Sequence, residues 1–218
     1  LNKLIATADG SHTIYVPELN EHYHSIHGAI QESEYVYLKN GFDFCSSDPV
    51  HIFEVGFGTG LNALLTAMRC INGKREVFYT SIEKYPLEEN VLGLLNYCQF
   101  TGKESKKIFD SISSSLWGEM KHICKNFNLK KTKGDIITDE LSGSFDLIYF
   151  DAFGPDKQPE MWTSAIFAKI NNITKTNGIL VTYSAKGDVK RILRSSGFDV
   201  NLLPGPPVKR HIIRAIKI

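Results

Sequence analysis

Apolar residues along this chain change their period repeatedly, and the changes mark out its elements. His51 to Val55 is a compact strand-like run. Leu61, Leu64, Leu65 and Met68 follow at i, i+3, i+4 and i+7, one face of a helix. Val77 to Ile82 predicts a second strand. Pro86 then opens a helix with an apolar stripe of Leu87, Val91, Leu94 and Leu95. The lysine-rich residues 103–126 carry a helical pattern around Ile112, Leu116, Met120 and Ile123, and a short strand precedes Gly134. Phe145 to Phe150 is almost continuously apolar, as a central strand buried on both faces reads. Residues 160–174 predict a helix and Gly178 to Tyr183 a buried strand. Val189, Ile192 and Leu193 predict a helix stopping at Gly197, a residue suited to a helix C-terminus. Phe198–Leu203 and His211–Ile218, joined by Pro204-Gly205-Pro206-Pro207, close the pattern as a hairpin.

Strands alternating with helices predict an α/β fold with a mostly parallel sheet, and the final hairpin predicts an antiparallel edge. The first 49 residues differ in texture. Polar and aromatic residues mix there, with a turn at Asp9-Gly10-Ser11 and a short strand over Thr13–Val16. Residues 1–49 are expected to form an extension packed on a core domain spanning 50–218, over the sheet edge or the mouth of a site.

The turn between the first core strand and its helix carries chemistry. It reads Glu54-Val55-Gly56-Phe57-Gly58-Thr59-Gly60-Leu61-Asn62. Glycines allow a tight strand-to-helix turn and let a ligand approach the backbone. Glu83 ends the next strand, where a carboxylate can accept from both hydroxyls of a ribose. A dinucleotide loop reads G-x-G-x-x-G and holds pyrophosphate at the helix N-terminus. Here the spacing is G-x-G-x-G after a carboxylate, which disfavours pyrophosphate and suits a cation. Three glycines alone could be a plain turn; Glu54 and Glu83 on either side favour a cofactor. The motif resembles motif I of the S-adenosylmethionine-dependent methyltransferases. That resemblance implies a Rossmann-like class I fold, with a seven-stranded, mostly parallel sheet ending in the antiparallel hairpin.

Composition narrows the alternatives. A formal net charge of +1 makes no global case for nucleic acid, so any basic surface must be local. Cys45, Cys70, Cys98 and Cys124 are scattered without a C-x-x-C pair, which suggests buried free thiols in a reducing cytoplasm. No apolar run approaches the ~20 residues that span a bilayer, and the chain opens without a secretory h-region. A cytoplasmic protein without membrane contact is expected.

Ligands of open α/β sheets bind at the carboxyl ends of strands. Glu54, Glu83 and Asp151 each end a predicted strand, and Asp135 follows a fourth. Glu54 can hold a methionyl ammonium, directly or through water, and Glu83 a ribose. Asp135 can accept from an adenine amino group, with Ile136 against the ring. Asp151 is left for the reaction. The loop Asp151-Ala152-Phe153-Gly154-Pro155 suits amine methylation, since a carboxylate can accept an N–H and aim the lone pair while Phe153 excludes water. His22, His24 and His27 have spacings that match neither H-E-x-x-H nor a zinc finger, so no metal is expected. One or two of them are placed in a substrate pocket with Tyr23 and Glu32. Basic residues gather at Lys103, Lys106, Lys107, Lys121, Lys125, Lys130, Lys131 and Lys133, and again at Lys209, Arg210, His211, Arg214 and Lys217. Such runs are usually solvated faces, yet any phosphate contacts must come from them.

Several blocks together resemble one family. They are Thr7-x-Asp9-Gly10-Ser11, Glu21-x-Tyr23-His24-Ser25-x-His27-Gly28, the glycine loop through Asn62, Ser81-x-Glu83-Lys84, and Asp151-x-Phe153-x-Pro155-x-Lys157-x-Pro159-Glu160-Met161-Trp162. The chain resembles the bacterial tRNA 5-methylaminomethyl-2-thiouridine methyltransferases, including the methyltransferase half of the bifunctional enzyme. Gln158 departs from the asparagine usual in relatives. The resemblance implies N-methylation of the aminomethyl group on C5 of the tRNA wobble uridine, in the anticodon region, with S-adenosyl-L-methionine as cofactor. It implies a cofactor set of Glu54, Gly56, Gly58, Gly60, Asn62, Glu83, Lys84, Asp135, Ile136 and Asp151. The substrate set is Tyr23, His24, His27, Phe153, Pro155, Trp162, Lys209 and Arg210. An oxidase acting upstream is an expected partner, and DNA is not. Larger relatives carry a flavin-dependent oxidase domain, so a stand-alone methyltransferase or one excised domain is expected. Another RNA or small-molecule amine methyltransferase remains an alternative. A Rossmann oxidoreductase is opposed by Glu54 and the glycine spacing, and a non-catalytic RNA-binding relative would not need Asp151.

Overall fold

The computed structural model describes residues 2–218. Three short strands, β1 (Lys3–Ala6), β2 (His12–Val16) and β3 (Glu21–His22), form a small antiparallel sheet of their own. A helix follows as α1 (Ala29–Ser33), running on as a π-helical segment, Glu34–Phe42. The remaining elements are β4 (Val50–Val55), α2 (Leu61–Asn72), β5 (Val77–Glu83), α3 (Glu89–Leu92), α4 (Ser105–Ser113), β6 (Met120–Cys124) and β7 (Phe127–Lys133). Then come β8 (Phe145–Phe150), α5 (Ser164–Ile173), β9 (Thr174–Thr182), α6 (Gly187–Ser195), β10 (Phe198–Pro204) and β11 (His211–Lys217).

The main sheet runs β10-β11-β9-β8-β4-β5-β7-β6. Its core is parallel, with β11 antiparallel between β9 and β10. Seven of these strands give the expected sheet with its terminal hairpin. The eighth, β6, adds an antiparallel edge beside β7. Alternation along β8 explains its unbroken apolar run. Leu147 and Tyr149 enter the core on one face, with α2, α4 and the 29–42 helix. Ile148 and Phe150 enter the core on the other, with α5 and α6. The cysteines are free thiols, Cys45 and Cys70 buried and Cys98 and Cys124 partly so.

Two expected helices are shorter than the periodicity suggests, for tertiary reasons. The stripe from Leu87 to Leu95 yields a single turn, α3, because the chain is recruited elsewhere. Tyr97 is fully buried with its hydroxyl 3.0 Å from Thr59 Oγ1, and Asn96 ties the extension by accepting from His12 N (2.7 Å) and donating to Gly10 O (2.9 Å). Residues 103–126 are not one helix. The hydroxyls of Ser113, Ser114 and Ser115 fold back onto helix carbonyls, and buried Lys131 donates to Ile112 O and Ser113 O at 2.8 and 3.0 Å. The helix ends there, and Met120 to Cys124 becomes the edge strand β6, leaving Leu116 and Met120 exposed.

Candidate active site

The carboxyl ends of β4, β5, β7 and β8 open on one cavity of about 990 Å3. The glycine loop after β4 makes its floor. Gly56, at φ +86°, passes so close to β8 that a Cβ there would lie 2.7 Å from the Asp151 carbonyl oxygen. Gly58, at φ +51°, lies under Tyr23, whose ring a Cβ would meet at 3.0 Å. Gly60 turns the chain into α2 in the left-handed region and does not line the cavity.

Asp151 leaves the end of β8 with its carboxylate fixed from two sides. Oδ1 accepts from the Tyr37 hydroxyl at 2.6 Å and Oδ2 from Asn62 Nδ2 at 2.8 Å. Burial pushes this carboxyl up to about 7; the Tyr37 and Asn62 donors and the Lys209 ammonium oppose that, and the Glu32 charge adds to it. Asn62 Nδ2 also donates to Glu54 Oε1 at 3.0 Å, and Asn62 Oδ1 has no protein partner. Glu54 itself is fully buried, and burial with the nearby Asp151 charge raises its carboxyl well above the usual range. Direct contact of Glu54 with the cofactor is corrected: it lies beneath the floor and reaches the cavity through Asn62.

Glu83 lines the cavity at the end of β5. Its Oε2 accepts from Gly58 N (3.0 Å) and its Oε1 from Tyr85 N (2.8 Å). Each oxygen retains a lone pair for a ligand. Asp135 faces the same space, ion-paired with Lys84 at 2.7 Å; that lysine, with the Ile137 N–H, holds its carboxyl below the usual range. Ile136 is buried along the wall.

The extension supplies the roof. Tyr23 stands edge-on to Phe153 with centroids 5.1 Å apart, and Phe153 and Pro155 line the cavity. His24 lines it too, and burial holds its imidazole down to about 4, so it is neutral near pH 7. His27 is exposed and outside the cavity, and His22 packs on Tyr15, so the three histidines diverge. Trp162 is also corrected. It is buried against Phe150 and Phe167, and its Nε1 donates to Phe153 O at 2.8 Å, so it anchors the loop from below. Arg210 is exposed outside the cavity, whereas Lys209 turns inward, pairs with Glu32 and lies 4.1 Å from the Tyr183 ring centroid.

Tyr37, Tyr183 and Lys186 are site residues that sequence reasoning missed, and Lys157 enters it only as a member of its block, without a role. Tyr183 donates to Ala152 O at 2.9 Å and steadies the loop after Asp151. At the rim, Lys157 donates to Asn20 O at 2.9 Å and Lys186 pairs with Asp156. Tyr37 lies on a π-helical stretch, whose i→i+5 bonding moves apolar residues off the 3.6-residue period that reveals helices.

The lining suits a nucleoside with a cationic tail and no phosphate. Its carboxylates face inward, Lys84 is committed to Asp135, and the Gly58 N–H that would greet a pyrophosphate is taken by Glu83. Asn62 Oδ1 awaits a donor, as an ammonium would provide. These residues therefore fit S-adenosyl-L-methionine, and the parallel sheet with its C-terminal hairpin is the fold of enzymes that use it.

Comparison with known proteins agrees. The sequence profile of the S-adenosyl-L-methionine-dependent methyltransferase family matches residues 102–218, and the chain belongs to that family. It is similar to the tRNA 5-methylaminomethyl-2-thiouridine biosynthesis bifunctional protein MnmC of Campylobacter hominis, 28% identical over 207 residues covering 93% of this chain and 31% of that protein. The protein of the same name from Cupriavidus metallidurans is 30% identical over 223 residues, covering 94% and 32%. The crystal structure of MnmC2 from Aquifex aeolicus superposes with a TM-score of 0.80 at 26% identity, covering 100% of this chain and 70% of that one. The chain spans about a third of the length of the curated relatives it matches.

Proposed function

We propose that this chain methylates the aminomethyl nitrogen on C5 of the tRNA wobble uridine. The observation that carries this reading is the half-buried Asp151 carboxylate, held by Tyr37 and Asn62 and walled by Phe153 and Tyr23, in a chain similar to MnmC along nearly its whole length. The cavity is at the top of the ~300–1,000 Å3 range of single-ligand pockets, which leaves room for a nucleobase beside the cofactor. Glu83, Asp135 and Ile136 hold the adenosine end, and Asn62, backed by Glu54, the methionyl end. S-adenosyl-L-methionine, when bound, supplies an electrophilic methyl group. Asp151 accepts an N–H of the incoming amine and aims its lone pair, and the aromatic roof keeps water out. Alignment of this kind provides effective molarities of ~10⁵ M or more. Residues 1–49 serve as the extension that completes this roof, over a catalytic domain of residues 50–218. A cytoplasmic location and an upstream oxidase belong to the same reading.

The test is methyl transfer from labelled cofactor to bulk tRNA from a strain lacking the activity. Label appearing in 5-methylaminomethyl uridine is the expected result; label in any other nucleoside, or in none, overturns the assignment.

A pH effect follows from the Asp151 environment. A cation bound beside a carboxylate favours its ionised form, so cofactor binding at pH 6.5 should release part of a proton from a group held at about 7. Calorimetry in two buffers of different ionisation enthalpy reads this directly. Equal heats in both would show that Asp151 does not face the cofactor.

For tRNA contacts, the rim replaces part of the lysine-rich segment. Lys131 is buried on helix carbonyls and is not free for phosphate. Lys186, exposed at the rim beside its partner Asp156, and Arg210, exposed on the connector before β11, are better placed. Each phosphate contact contributes about −0.7 to −0.9 to the log–log salt slope. Lys186→Glu with Arg210→Glu is expected to weaken tRNA binding and flatten that slope by about 1.5, with cofactor affinity unchanged. Filter binding over a salt series decides it, and an unaltered slope moves the RNA surface elsewhere.

A further inference from the structure

Beside Asp151 lies an ion pair that the methyl-transfer chemistry above does not use. Glu32, on α1, is nearly buried, with its side chain 11% exposed, while its partner Lys209 is 31% exposed. Glu32 is fixed from the protein side, since its Oε2 accepts the Ser25 N–H at 3.0 Å. Its Oε1 takes the Lys209 ammonium, which also lies over the face of Tyr183 at 4.1 Å from the centroid. Tyr183 in turn donates to Ala152 O, the residue after Asp151. The carboxylate is thus built in, and the cation that fills it is a flexible side chain arriving from the solvent side, on the connector between β10 and β11.

We infer that Glu32 and the Tyr183 ring face form the docking subsite that first receives the substrate's primary ammonium, before that nitrogen gives up a proton to water and turns to Asp151 as the free amine, and that Lys209 occupies the subsite with its own ammonium until the substrate displaces it. An ammonium between a carboxylate and an aromatic face gains both Coulombic and cation–π attraction. A lysine side chain ends in the same –CH2–NH3+ group as an aminomethyl substrate, so the resting contact displays the geometry in which such a substrate would first dock. The arrangement also selects. Withdrawing Lys209 without a replacement leaves a desolvated carboxylate unpaired, which is strongly unfavourable. A neutral uridine cannot complete the exchange, whereas an ammonium can. The cost of displacing Lys209 is then recovered only by substrates carrying the group to be methylated.

This inference rests on the proposed aminomethyl substrate, and the experiment separates the two. Calorimetry is run on protein saturated with S-adenosylhomocysteine, using 5-aminomethyluridine, neutral 5-methyluridine and benzylammonium as probes. Lys209→Met removes the competing ammonium, and Glu32→Gln in that background removes the acceptor. The expected result is at least tenfold tighter 5-aminomethyluridine binding by Lys209→Met, unchanged 5-methyluridine binding, and loss of the gain in the double variant. No gain for either ammonium probe, an equal gain for 5-methyluridine, or a gain that survives Glu32→Gln overturns the subsite. A Glu32-dependent gain for benzylammonium but not for 5-aminomethyluridine keeps the ammonium subsite and overturns the uridine substrate. S-adenosylhomocysteine affinity reports the fold of each variant. Lys209→Ala repeats the comparison, so that a methionine filling the subsite cannot hide a gain.

Discussion

Asp151→Asn is expected to lower the single-turnover rate of methyl transfer by about two orders of magnitude, the scale of losing one positioned acid–base group. Cofactor affinity should change only a few-fold. The substitution is close to isosteric and its partners can adapt. An asparagine Oδ1 can still accept from Asn62 Nδ2, and its amide can donate to the Tyr37 hydroxyl, which has Phe150 O as a second acceptor at 3.4 Å. What disappears is the charge and the acceptor facing the amine. The same change should stabilise the protein in alkali. Burial holds the Asp151 carboxyl at about 7 in the folded state, against ~3.9 in an unfolded chain. The folded state therefore binds the proton more tightly. Its contribution to stability is fully present below pH ~4 and is lost as pH rises through about 7. That loss amounts to on the order of 4 kcal/mol by pH 8, and asparagine does not suffer it. Urea midpoints at pH 5 and pH 8 should show the variant gaining on the wild type with pH. A variant equally destabilised at both, with a normal single-turnover rate, would mean that the loop is structural.

Much of this was legible because the informative residues sit at strand ends. A strand buried on both faces loses its alternation, so Phe145–Phe150 announced both a central position and the acid that follows it. The glycine loop was legible for a related reason. At Gly56 the approach of β8 leaves no space for a Cβ, and such a constraint admits glycine there and little else. Glu83 and Asp135 were found by the same rule, that ligands gather at the carboxyl edge of a parallel sheet.

The misses share a cause too: local pattern does not report what a distant segment does. Lys209 reads as one more base in a cationic hairpin, and nothing nearby in sequence shows that Glu32, 177 positions earlier, draws it inward. Trp162 belongs to a block that looks substrate-facing, yet its indole is satisfied by the Phe153 carbonyl and supports the loop from beneath. Glu54 has the right type at the right spacing but lies one layer too deep, where burial raises its carboxyl well above the usual range and Asn62 speaks for it. The amphipathic stripe at Ile112, Leu116, Met120 and Ile123 broke where three serines and Lys131 closed the helix, which a hydrophobic pattern does not register.

Glu83→Ala is expected to weaken S-adenosyl-L-methionine by tenfold or more. Its carboxylate does two things at once: Oε2 fixes the Gly58 N–H and Oε1 the Tyr85 N–H, while the remaining lone pairs face the cavity. Hydrogen bonds to a charged acceptor contribute ~1.5–3 kcal/mol each, and water entering an open cavity recovers part of that. The net loss from two ribose bonds then falls between about ten- and a hundredfold, at ~1.4 kcal/mol per factor of ten. Glu83→Gln separates the two jobs. The amide oxygen can hold one backbone N–H, but the NH2 group confronts the other donor, so the loop is strained as well as the ribose contact weakened. The glutamine variant should therefore bind no better than the alanine one, despite its closer shape. Calorimetry on both variants checks this. A wild-type dissociation constant in Glu83→Ala removes the ribose assignment. A near-normal one in Glu83→Gln alone shows that shape, and not the doubly accepting carboxylate, is what the loop requires.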